Sequence, residues 1–517
     1  MTRVLDGASE GKGDVPIVES RAPATGEVLG RAPASDRAAV RAAIERARAA
    51  QAAWAALAVE QRCAQLLKFR DALIDGAEEL IELAAAECGK PRQDVLVHEV
   101  MVIADLIGFY ARRAGKILAP REISLHLFKH RKVYVHYVPR GVVGVIAPAN
   151  YPIATALSDA VAAWLTGNAV VLKPSEHTPL VALKLREIFV RAGLRAELFE
   201  VVMGAGAAGE WLIEGAPDHL AFTGTTEVGR KVAAKCGERL ITCRLGLSGH
   251  APAIVCEDAD LERAARAVVY AGFANSGQLC LRVARVYAHA GIYDALVKRV
   301  HELTRELKQG NPLVEEVDVG ALTTSEAVAR SKAAVADAVD RGARLVCGGA
   351  ERPGPGNFFQ PTVLAECDHS MQVMREEVFG PVLPIVRVAD DEEALELANA
   401  TPFGLVASVF TRDKQRGGRL AERIRASTVM LNDVLIAYAC PEAPMGGAGD
   451  SGYGRVHGDQ GLRDMCLLRH VNMDRVRPLS REPVWFPYSA GAYRAMLSIM
   501  RALMRGGSPV KKVIDLL

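Results

Sequence analysis

The sequence predicts an α/β protein organised around parallel β-sheets. Between residues 141 and 236, short β-branched runs alternate with helical segments, which is the pattern of consecutive βαβ units. A second series of short apolar runs follows after residue 250 and predicts a second α/β lobe. The chain has 517 residues, 50% of them hydrophobic and 24% charged, values typical of a folded protein with a large core.

The predicted elements follow in chain order. Residues 1–35 resemble an irregular arm with short strands, and residues 36–119 have helical composition and spacing. Residues 132–138 have strand composition. The first lobe has strand candidates at 142–146, 169–172, 199–202 and 219–222, and helix candidates at 153–166, 179–192, 206–214 and 227–236. The second lobe has strand candidates at 251–255, 284–289, 344–347, 383–387, 406–410 and 428–431.

The C-terminal stretch has a different pattern. A helix candidate covers residues 491–505, with Met and Leu side chains on one face and three Arg side chains on another. We interpret it as a helix docked on the body or on a neighbouring subunit, because amphipathic helices are common in soluble proteins. Membrane attachment is the less favoured alternative.

Charge and cysteine usage argue against several classes of protein. With 63 basic and 61 acidic side chains the net charge is +2, so no global field attracts nucleic acid or an anionic membrane. The ten cysteines form no C-x-x-C pair, so we predict no metal site and a reducing cytoplasm. The N-terminus lacks the apolar core of a signal peptide, and the apolar stretch 141–172 is interrupted by proline and polar residues. Small molecules and copies of the same chain are the expected partners.

One cysteine lies in a segment typical of a pocket. Cys280 ends the small, polar run Phe273-Ala-Asn-Ser-Gly-Gln-Leu-Cys280. A nucleophilic cysteine reacts as thiolate and needs N–H donors for the oxyanion it creates. Asn150, in Ala147-Pro-Ala-Asn-Tyr-Pro152, is a candidate donor. Each segment alone also fits a buried apolar cysteine or a turn asparagine.

Three segments are candidates for nucleotide binding. Residues 204–209 read Gly-Ala-Gly-Ala-Ala-Gly after a strand, but the acid expected about 20 residues later is not cleanly present. Lys173 and Glu176 end another strand and suit ribose hydroxyls. The segment Phe222-Thr-Gly-Thr-Thr-Glu-Val-Gly229 opens a helix whose free N–H groups suit a phosphate. An ordinary capped βα turn is the alternative for each of the last two.

Together these segments resemble the aldehyde dehydrogenase superfamily, in the same order over roughly residues 20–475. Four further segments carry the resemblance: Glu376-Glu-Val-Phe-Gly-Pro-Val382, Thr401-Pro-Phe-Gly-Leu405, Ser427-Thr-Val-Met-Leu-Asn432 and Pro444-Met-Gly-Gly-Ala-Gly-Asp-Ser-Gly-Tyr-Gly454. The resemblance implies an aldehyde dehydrogenase-like fold with two parallel α/β domains and a β-ribbon used for oligomerisation. It also implies a homodimer or homotetramer that oxidises a small-molecule aldehyde to an acid.

The implied domain boundaries cover the whole chain. A Rossmann-like cofactor domain takes residues 1–131 and 139–248, and a catalytic domain takes 249–456. The ribbon takes 132–138 and 457–480, and a C-terminal extension takes 481–517.

The resemblance also assigns roles to individual residues. Cys280 is the nucleophile, and Asn150 with the Cys280 backbone N–H holds the oxyanion. The implied cofactor-binding set is Ile146, Ala147, Pro148, Lys173, Ser175, Glu176, Gly206, Phe222, Thr223, Gly224, Thr225, Val228, Leu247, Glu377 and Phe379. A carboxylate near the ribose 2′-hydroxyl disfavours a 2′-phosphate, so the expected cofactor is NAD, and the lysine beside it leaves NADP open.

One position departs from the family pattern. The family has a glutamate that activates the hydrolytic water in an L-E-L-G-G-K type segment, and here that segment reads Leu245-Gly246-Leu247-Ser248-Gly249-His250. Gly246 therefore occupies the general-base position and has no group to move a proton. General-base catalysis contributes about 10²–10⁴-fold, so we expect slow thioester hydrolysis.

Three explanations follow from Gly246. The first is a natural or engineered substitution in a hydrolytic enzyme, which traps the acyl-enzyme. The second is acyl transfer to a stronger nucleophile such as coenzyme A. The third is a degenerate member that binds nucleotide or acts as a scaffold, against which the retention of Cys280, Asn150 and Glu377 argues.

Two neighbouring residues have structural interpretations. His250, four residues after Gly246, is expected to be a structural histidine rather than a replacement base. Arg282, two residues after Cys280, is expected to form a salt bridge facing away from the pocket, and contact with an acidic substrate is the less favoured alternative.

Overall fold

A computed structural model describes residues 16–314, 316–476, 480–482 and 484–504. The chain divides into a larger unit, residues 1–119 with 137–467, and a smaller unit, residues 120–136 with 468–517. The predicted N-terminal character of residues 1–15, and residue 505 of the C-terminal helix, lie outside the described residues.

The larger unit begins with an antiparallel strand pair and a group of helices. The pair is β1 (Ile17–Arg21) and β2 (Val28–Pro33). The helices are α1 (Arg37–Ala55), α2 (Val59–Asp75), α3 (Ala77–Cys88), α4 (Arg92–Val95) and α5 (Met101–Ile117), with a π-helical turn at Leu96–Val100. Helix α1 buries Val40, Ile44 and Ala47, so its apolar residues follow the spacing of one helix face. This confirms the predicted helical composition of residues 36–119.

The smaller unit contains an antiparallel pair, β3 (Arg121–Ile123) with β4 (Arg131–Pro139). The last three residues of β4 belong to the larger unit. The strand predicted at 132–138 is thus confirmed and is one residue longer at each end.

The first lobe consists of consecutive βαβ units. Its strands are β5 (Val142–Ile146), β6 (Ala169–Lys173), β7 (Phe199–Val201), β8 (His219–Thr223) and β9 (Thr242–Gly246), all parallel in the order β9-β8-β5-β6-β7. The connecting helices are α6 (Ala154–Leu165), α7 (Pro179–Arg191), α8 (Gly206–Glu214) and α9 (Thr226–Glu238). Strands β5 and β6 are buried at every residue, because helices cover both faces of such a sheet.

The second lobe has a seven-stranded sheet. Its strands are β10 (Ala251–Val255), β11 (Val283–His289), β12 (Arg344–Cys347), β13 (Thr362–Ala365), β14 (Val382–Val388), β15 (Val406–Phe410) and β16 (Thr428–Leu431), in the order β12-β13-β14-β11-β10-β15-β16. Its helices are α10 (Leu261–Phe273), α11 (Ala290–Glu306), α12 (Ser325–Asp340), α13 (Gln372–Arg375), α14 (Asp391–Asn399) and α15 (Lys414–Arg423).

Each sheet ends in one antiparallel edge strand. Strand β12 runs antiparallel to β13, and β17 (Gly452–Tyr453) runs antiparallel to β9. The predicted parallel α/β architecture is confirmed, and these two edges are additions to it. Strand β17 comes from residues that the prediction places in the catalytic domain, and the domain boundaries stay a prediction.

The last elements are α16 (Gly458–Asp464), β18 (Cys466–Asp474) and α17 (Ala490–Met504). In the smaller unit, Arg131 is paired with Asp474 and donates to Glu482 Oε1 at 2.9 Å. Strand β18 completes a three-stranded sheet in the order β18-β4-β3. In the described part of the chain, no helix combines the length and hydropathy that a bilayer crossing requires.

Candidate active site

One cavity of the larger unit lies where the strands of the first lobe end. It has a volume of about 510 Å³. Ten of the residues predicted for the site line it: Pro148, Asn150, Thr223, Gly224, Thr225, Gly246, Leu247, Cys280, Glu377 and Phe379. The sequence-predicted thiol, its amide donor and three strand ends therefore share one cavity.

The remaining predicted cofactor residues are not among the described wall residues of this cavity: Ile146, Ala147, Lys173, Ser175, Glu176, Gly206, Phe222 and Val228. Lys173 ends β6 and is buried, and its Nζ lies 3.5 Å from Glu176 Oε2. Burial lowers the pKa of Lys173, and the Glu176 carboxylate opposes that effect. A cation and an acid therefore stand together at the carboxyl end of β6, as predicted for a ribose contact.

Cys280 is positioned by a strained turn after α10. Asn275 and Ser276 in this turn have φ angles of 47° and 56°. Such left-handed conformations cost about 1–3 kcal/mol each for non-glycine residues and are concentrated at functional sites. Asn275 Nδ2 donates to Asn150 O at 3.0 Å, so this turn is tied to the Asn150 loop.

Asn150 reaches the Cys280 segment through its side chain. Its Nδ2 donates to Gln278 O at 2.9 Å. An amide nitrogen has two N–H donors, and among the described residues Gln278 is the acceptor for one of them. The second N–H is thus available to a ligand in the cavity that both residues line.

The Cys280 thiol is protonated in the free protein. Burial, followed by the charge of Glu377, raises the pKa of Cys280 to about 12, although the backbone N–H groups of Cys280 and Leu281 act in the opposite direction. Glu377 Oε1 accepts from the Gly249 N–H at 3.1 Å. Burial also raises the pKa of Glu377. Burial therefore disfavours the ionised form of both Cys280 and Glu377. When Glu377 is ionised, its charge also disfavours the Cys280 thiolate.

Replacing Glu377 by Gln is expected to accelerate alkylation of Cys280 several-fold at pH 8. Removing the carboxylate charge lowers the pKa of Cys280, and the thiolate is the reactive form. The rate of iodoacetamide labelling is measured at the Cys280 peptide by mass spectrometry. Glu227→Gln, which changes another acid on the cavity wall, is the matched control, and slower labelling of Glu377→Gln would contradict the assignment.

Gly246 is the last residue of β9 and lies on the cavity wall. A Cβ atom built on it would stand 3.0 Å from Arg244 Nη1 and 3.2 Å from Thr223 Oγ1. Arg244 is itself held by Asp159, at 2.5 Å between Nη2 and Oδ2. The position predicted for the general base therefore carries no carboxylate, and the end of a buried guanidinium stands beside it.

The structural interpretation is contradicted for Arg282 in its predicted partner, whereas His250 is buried away from the described cavity wall. His250 is buried, and its Nε2 lies 3.2 Å from Val373 O; burial, together with Arg285 and Arg282, lowers its pKa. It is not among the described residues of the Cys280 cavity. The salt bridge predicted for Arg282 is wrong: no carboxylate of the described residues lies within ion-pair distance, and the guanidinium donates to Gly380 O and Val382 O. Main-chain carbonyls accept from both terminal nitrogens of this buried cation, and its Nε has no partner among the described residues.

Helix α9 presents its N-terminus to the cavity. Thr225 is its N-cap, and the wall includes Gly224, Thr225, Thr226 and Glu227. Free N–H groups and the helix dipole at such an end favour a phosphate. Together with the strand ends of β5, β8 and β9, this end of the cavity has the features predicted for the phosphates of a dinucleotide.

Sequence reasoning missed a buried ion cluster behind the Asn150 loop. Lys90 is fully buried, with its Nζ 2.6 Å from Glu99 Oε1 and 3.6 Å from Asp94 Oδ1. The same Nζ donates to Asn150 O at 3.0 Å. Glu99 Oε2 accepts from Ile153 N at 2.7 Å, at the start of α6. The cluster thus holds the Asn150 carbonyl and the N–H of Ile153, three residues later, and no local sequence motif indicates that these charges are buried.

Lys90→Met is expected to lower the free energy of unfolding by about 3–5 kcal/mol, since it leaves two buried carboxylates without their cation. Urea denaturation measures the loss. Lys332→Met breaks an exposed pair with Glu351 and is expected to cost about 1 kcal/mol or less. Equal losses for the two variants would contradict the role of Lys90.

The fold and the cavity are typical of an α/β oxidoreductase: one end of the cavity suits a nucleotide, and a cysteine thiol lines it. The sequence matches the model of the Aldehyde dehydrogenase family over residues 10–471. It is 37% identical over 483 residues to a protein of Mycobacterium ulcerans named as a putative NADP(+)-dependent succinate-semialdehyde dehydrogenase, covering 93% of each chain. It is 35% identical over 477 residues to the 4,4′-diapolycopene aldehyde oxidase of a Methylomonas species, covering 91% of this chain and 88% of that one.

Solved structures agree with these relatives. The Mycobacterium tuberculosis aldehyde dehydrogenase complexed with NAD+ superposes with a TM-score of 0.85 at 32% identity, covering 92% of this chain and 98% of that chain. An Escherichia coli NADP dependent enzyme superposes with a TM-score of 0.86 at 34% identity, covering 89% and 95%. The chain belongs to the aldehyde dehydrogenase family.

Family membership confirms three predictions, namely the family, the fold class and an NAD(P)-dependent enzyme. The roles of individual site residues, the Cys280 chemistry and the effect of Gly246 stay predictions. In the described part of the chain, no group of three or more His, Cys, Asp or Glu side chains is placed to hold a metal ion.

Proposed function

We propose that this chain oxidises an aldehyde through a covalent adduct on Cys280, with NAD(P) as hydride acceptor and with slow release of the acyl group. The observation that carries the proposal is the single cavity that holds the Cys280 thiol, the Asn150 amide and the nucleotide end of the first lobe. The family to which the chain belongs acts on aldehydes.

The first step forms a bond between Cys280 Sγ and the aldehyde carbon. Because burial raises the pKa of the thiol to about 12, attack must be coupled to loss of the thiol proton. With Gly246 at the base position, that proton leaves to water in the cavity or to Glu377. The developing oxyanion accepts from the free Asn150 Nδ2 N–H and from the Cys280 N–H.

NAD(P), when bound, would supply the acceptor for the hydride of the thiohemiacetal carbon. Loss of that hydride with its electron pair, as the oxyanion reforms a carbonyl, would leave a thioester on Cys280. Hydrolysis requires a water that loses a proton as it attacks, and Gly246 supplies no acceptor. The thioester is therefore expected to persist.

The residues expected to hold the cofactor lie in two places, on the cavity wall and at the end of β6. Thr225 and the α9 N–H groups suit the pyrophosphate, Glu377 and Phe379 suit the nicotinamide riboside, and Lys173 with Glu176 suits the adenosine ribose. Glu176 favours NAD by repelling a 2′-phosphate, and Lys173 leaves NADP open. NADP is the cofactor in the name of the mycobacterial relative, and NAD+ is bound in a solved structure of the family.

A second candidate function is acyl transfer to coenzyme A. Gly246 favours it, because a thiol acceptor needs less help from a base than water does. A third, a binding or scaffold protein without catalysis, is disfavoured by the retained Cys280, Asn150 and Glu377. The chain is further proposed to be a cytoplasmic homodimer or homotetramer that assembles through the β4 and β18 region.

Rapid mixing with NAD and an aldehyde panel separates these functions. The expected result is a burst of NADH near one equivalent per subunit, followed by turnover at least 10²-fold slower than the burst. Acceleration of the slow phase by coenzyme A would support acyl transfer. Measurable nucleotide binding without a burst from any aldehyde would sink the catalytic proposal.

A further inference from the structure

The part of the cavity wall beyond the nucleotide end is lined by apolar side chains. Four apolar residues, Val102, Leu279, Leu281 and Leu435, line it and are each buried. They come from α5, from the segment around Cys280 and from the loop after β16. Because the strand ends and the α9 N-terminus belong to the nucleotide end, this apolar wall is the surface left for the aldehyde.

The polar side chains on this wall already have protein partners. Thr155 Oγ1 donates to Tyr151 O at 2.6 Å, and Tyr438 Oη lies 2.9 Å from Ser158 Oγ. The Tyr151 hydroxyl donates to Asp94 Oδ2 at 3.4 Å. Their hydroxyls are thus engaged within the protein, and the rings and methyl groups are what remains for a ligand.

One basic group of this wall, His98, is occupied on both ring nitrogens. His98 Nε2 lies 2.8 Å from Tyr270 Oη, and its Nδ1 lies 3.4 Å from an Asp94 carboxylate oxygen. Two further basic residues line the cavity, Arg330 and His177. Arg330 donates through Nε to Val378 O at 2.8 Å, next to Glu377 and Phe379, and His177 follows the end of β6, so we place both with the nucleotide end. The described lining contains no lysine, and the oxyanion takes the free Asn150 N–H in the proposed reaction, so a carboxylate on the apolar wall would find no unpaired cation.

We infer that this site selects uncharged, apolar aldehydes and rejects aldehydes that carry a carboxylate. The inference rests on the proposed function, since it names the substrate class of the same site. It separates this chain from the activity in the name of its mycobacterial relative, because succinate semialdehyde is an anion.

The test measures the apparent second-order rate constant of the NADH burst for butanal, hexanal, decanal and succinate semialdehyde. Butanal and succinate semialdehyde have four carbons each and differ by the carboxylate. The rate constant is expected to rise up to about fourfold per added methylene until the wall is filled, and to be at least about 100-fold lower for succinate semialdehyde than for butanal. Equal rate constants for these two would overturn the inference.

A variant pair supplies the matched control. Ala439 is exposed and lines the same cavity, so Ala439→Arg adds a cation without disturbing the core. Ala439→Gln has similar length and no charge. The arginine variant is expected to use succinate semialdehyde at least tenfold better than the glutamine variant does, with no such gain for decanal. Equal values for the two variants would count against the electrostatic argument.

Failure of the proposed function gives a different result. If no aldehyde produces a burst, catalysis is absent, but the wall is still tested by calorimetric binding of butyramide, decanamide and succinamate. Tighter binding of decanamide than of butyramide, with no detectable succinamate binding, would support the inference. Succinamate binding as tight as that of butyramide would overturn it.

Discussion

Gly246→Glu is expected to raise steady-state aldehyde oxidation by about 10²–10⁴-fold, for any aldehyde that gives an NADH burst in the unchanged chain. The new carboxylate would extend from the end of β9 into the cavity that holds Cys280. There it can take the proton of the water that attacks the thioester. Steady-state NADH formation and the burst amplitude are measured on the same preparation.

The surroundings of residue 246 set the size of that gain. A Cβ atom would stand 3.0 Å from Arg244 Nη1, a contact tighter than most, so the guanidinium must give by a few tenths of an ångström. Arg244 is restrained by Asp159, which makes this movement costly. An increase near the lower end of the range is therefore expected, with a modest fall in stability.

Gly246→Gln separates the carboxylate from its bulk. Its side chain has the size of glutamate and no basic oxygen of comparable strength, so it should give the burst without the faster turnover. If glutamate and glutamine variants turn over equally, or if glutamate gives no increase, the missing base does not explain slow release of the acyl group.

The fold was largely accessible from the sequence because each βαβ unit has strong local signals. Strands β5 and β6 are mostly apolar runs with a glycine and a proline within two residues of their ends, and their predicted bounds differ from the structure by at most one residue. Strand β9 has the same length as β5 and β6, and it was missed because it carries Arg244 and borders an irregular glycine-rich segment. Strand β17 has two residues and depends on pairing with β9, a contact between residues about 200 positions apart.

Some residues of the candidate site could likewise be predicted from local sequence signals, and others could not. Cys280 and Asn150 lie in distinctive local segments, so motif and resemblance place both at the cavity. The charges of the Lys90 cluster lie within ten residues, and Lys90 and Asp94 are four apart, but such spacing is usual on an exposed helix face. Their burial depends on packing against the Asn150 loop and the start of α6, which the sequence does not indicate. The error on Arg282 has a related cause: a salt bridge is the usual partner of a buried arginine, whereas here main-chain carbonyls accept from it.

Cys280→Ala is expected to abolish the NADH burst, lowering it at least 10³-fold, while the dissociation constant for NADH changes by less than about twofold. The thiol forms the only bond to the aldehyde in the proposed reaction, and without it the carbonyl carbon has no route to a species that can lose hydride. The burst is followed by NADH absorbance, and NADH binding by fluorescence.

Nine other cysteines make a matched control necessary. Cys347 lies half-buried on the edge strand β12 and is not among the described residues of the cavity wall, so Cys347→Ala should retain the full burst. Intact mass measured after the burst is expected to show one acyl group per subunit in the unchanged chain and in Cys347→Ala, and none in Cys280→Ala. An acyl group on Cys280→Ala would show that another thiol is the nucleophile. It would also contradict the proposed role of Asn150, because that amide is held against the Cys280 segment by its hydrogen bond to Gln278 O.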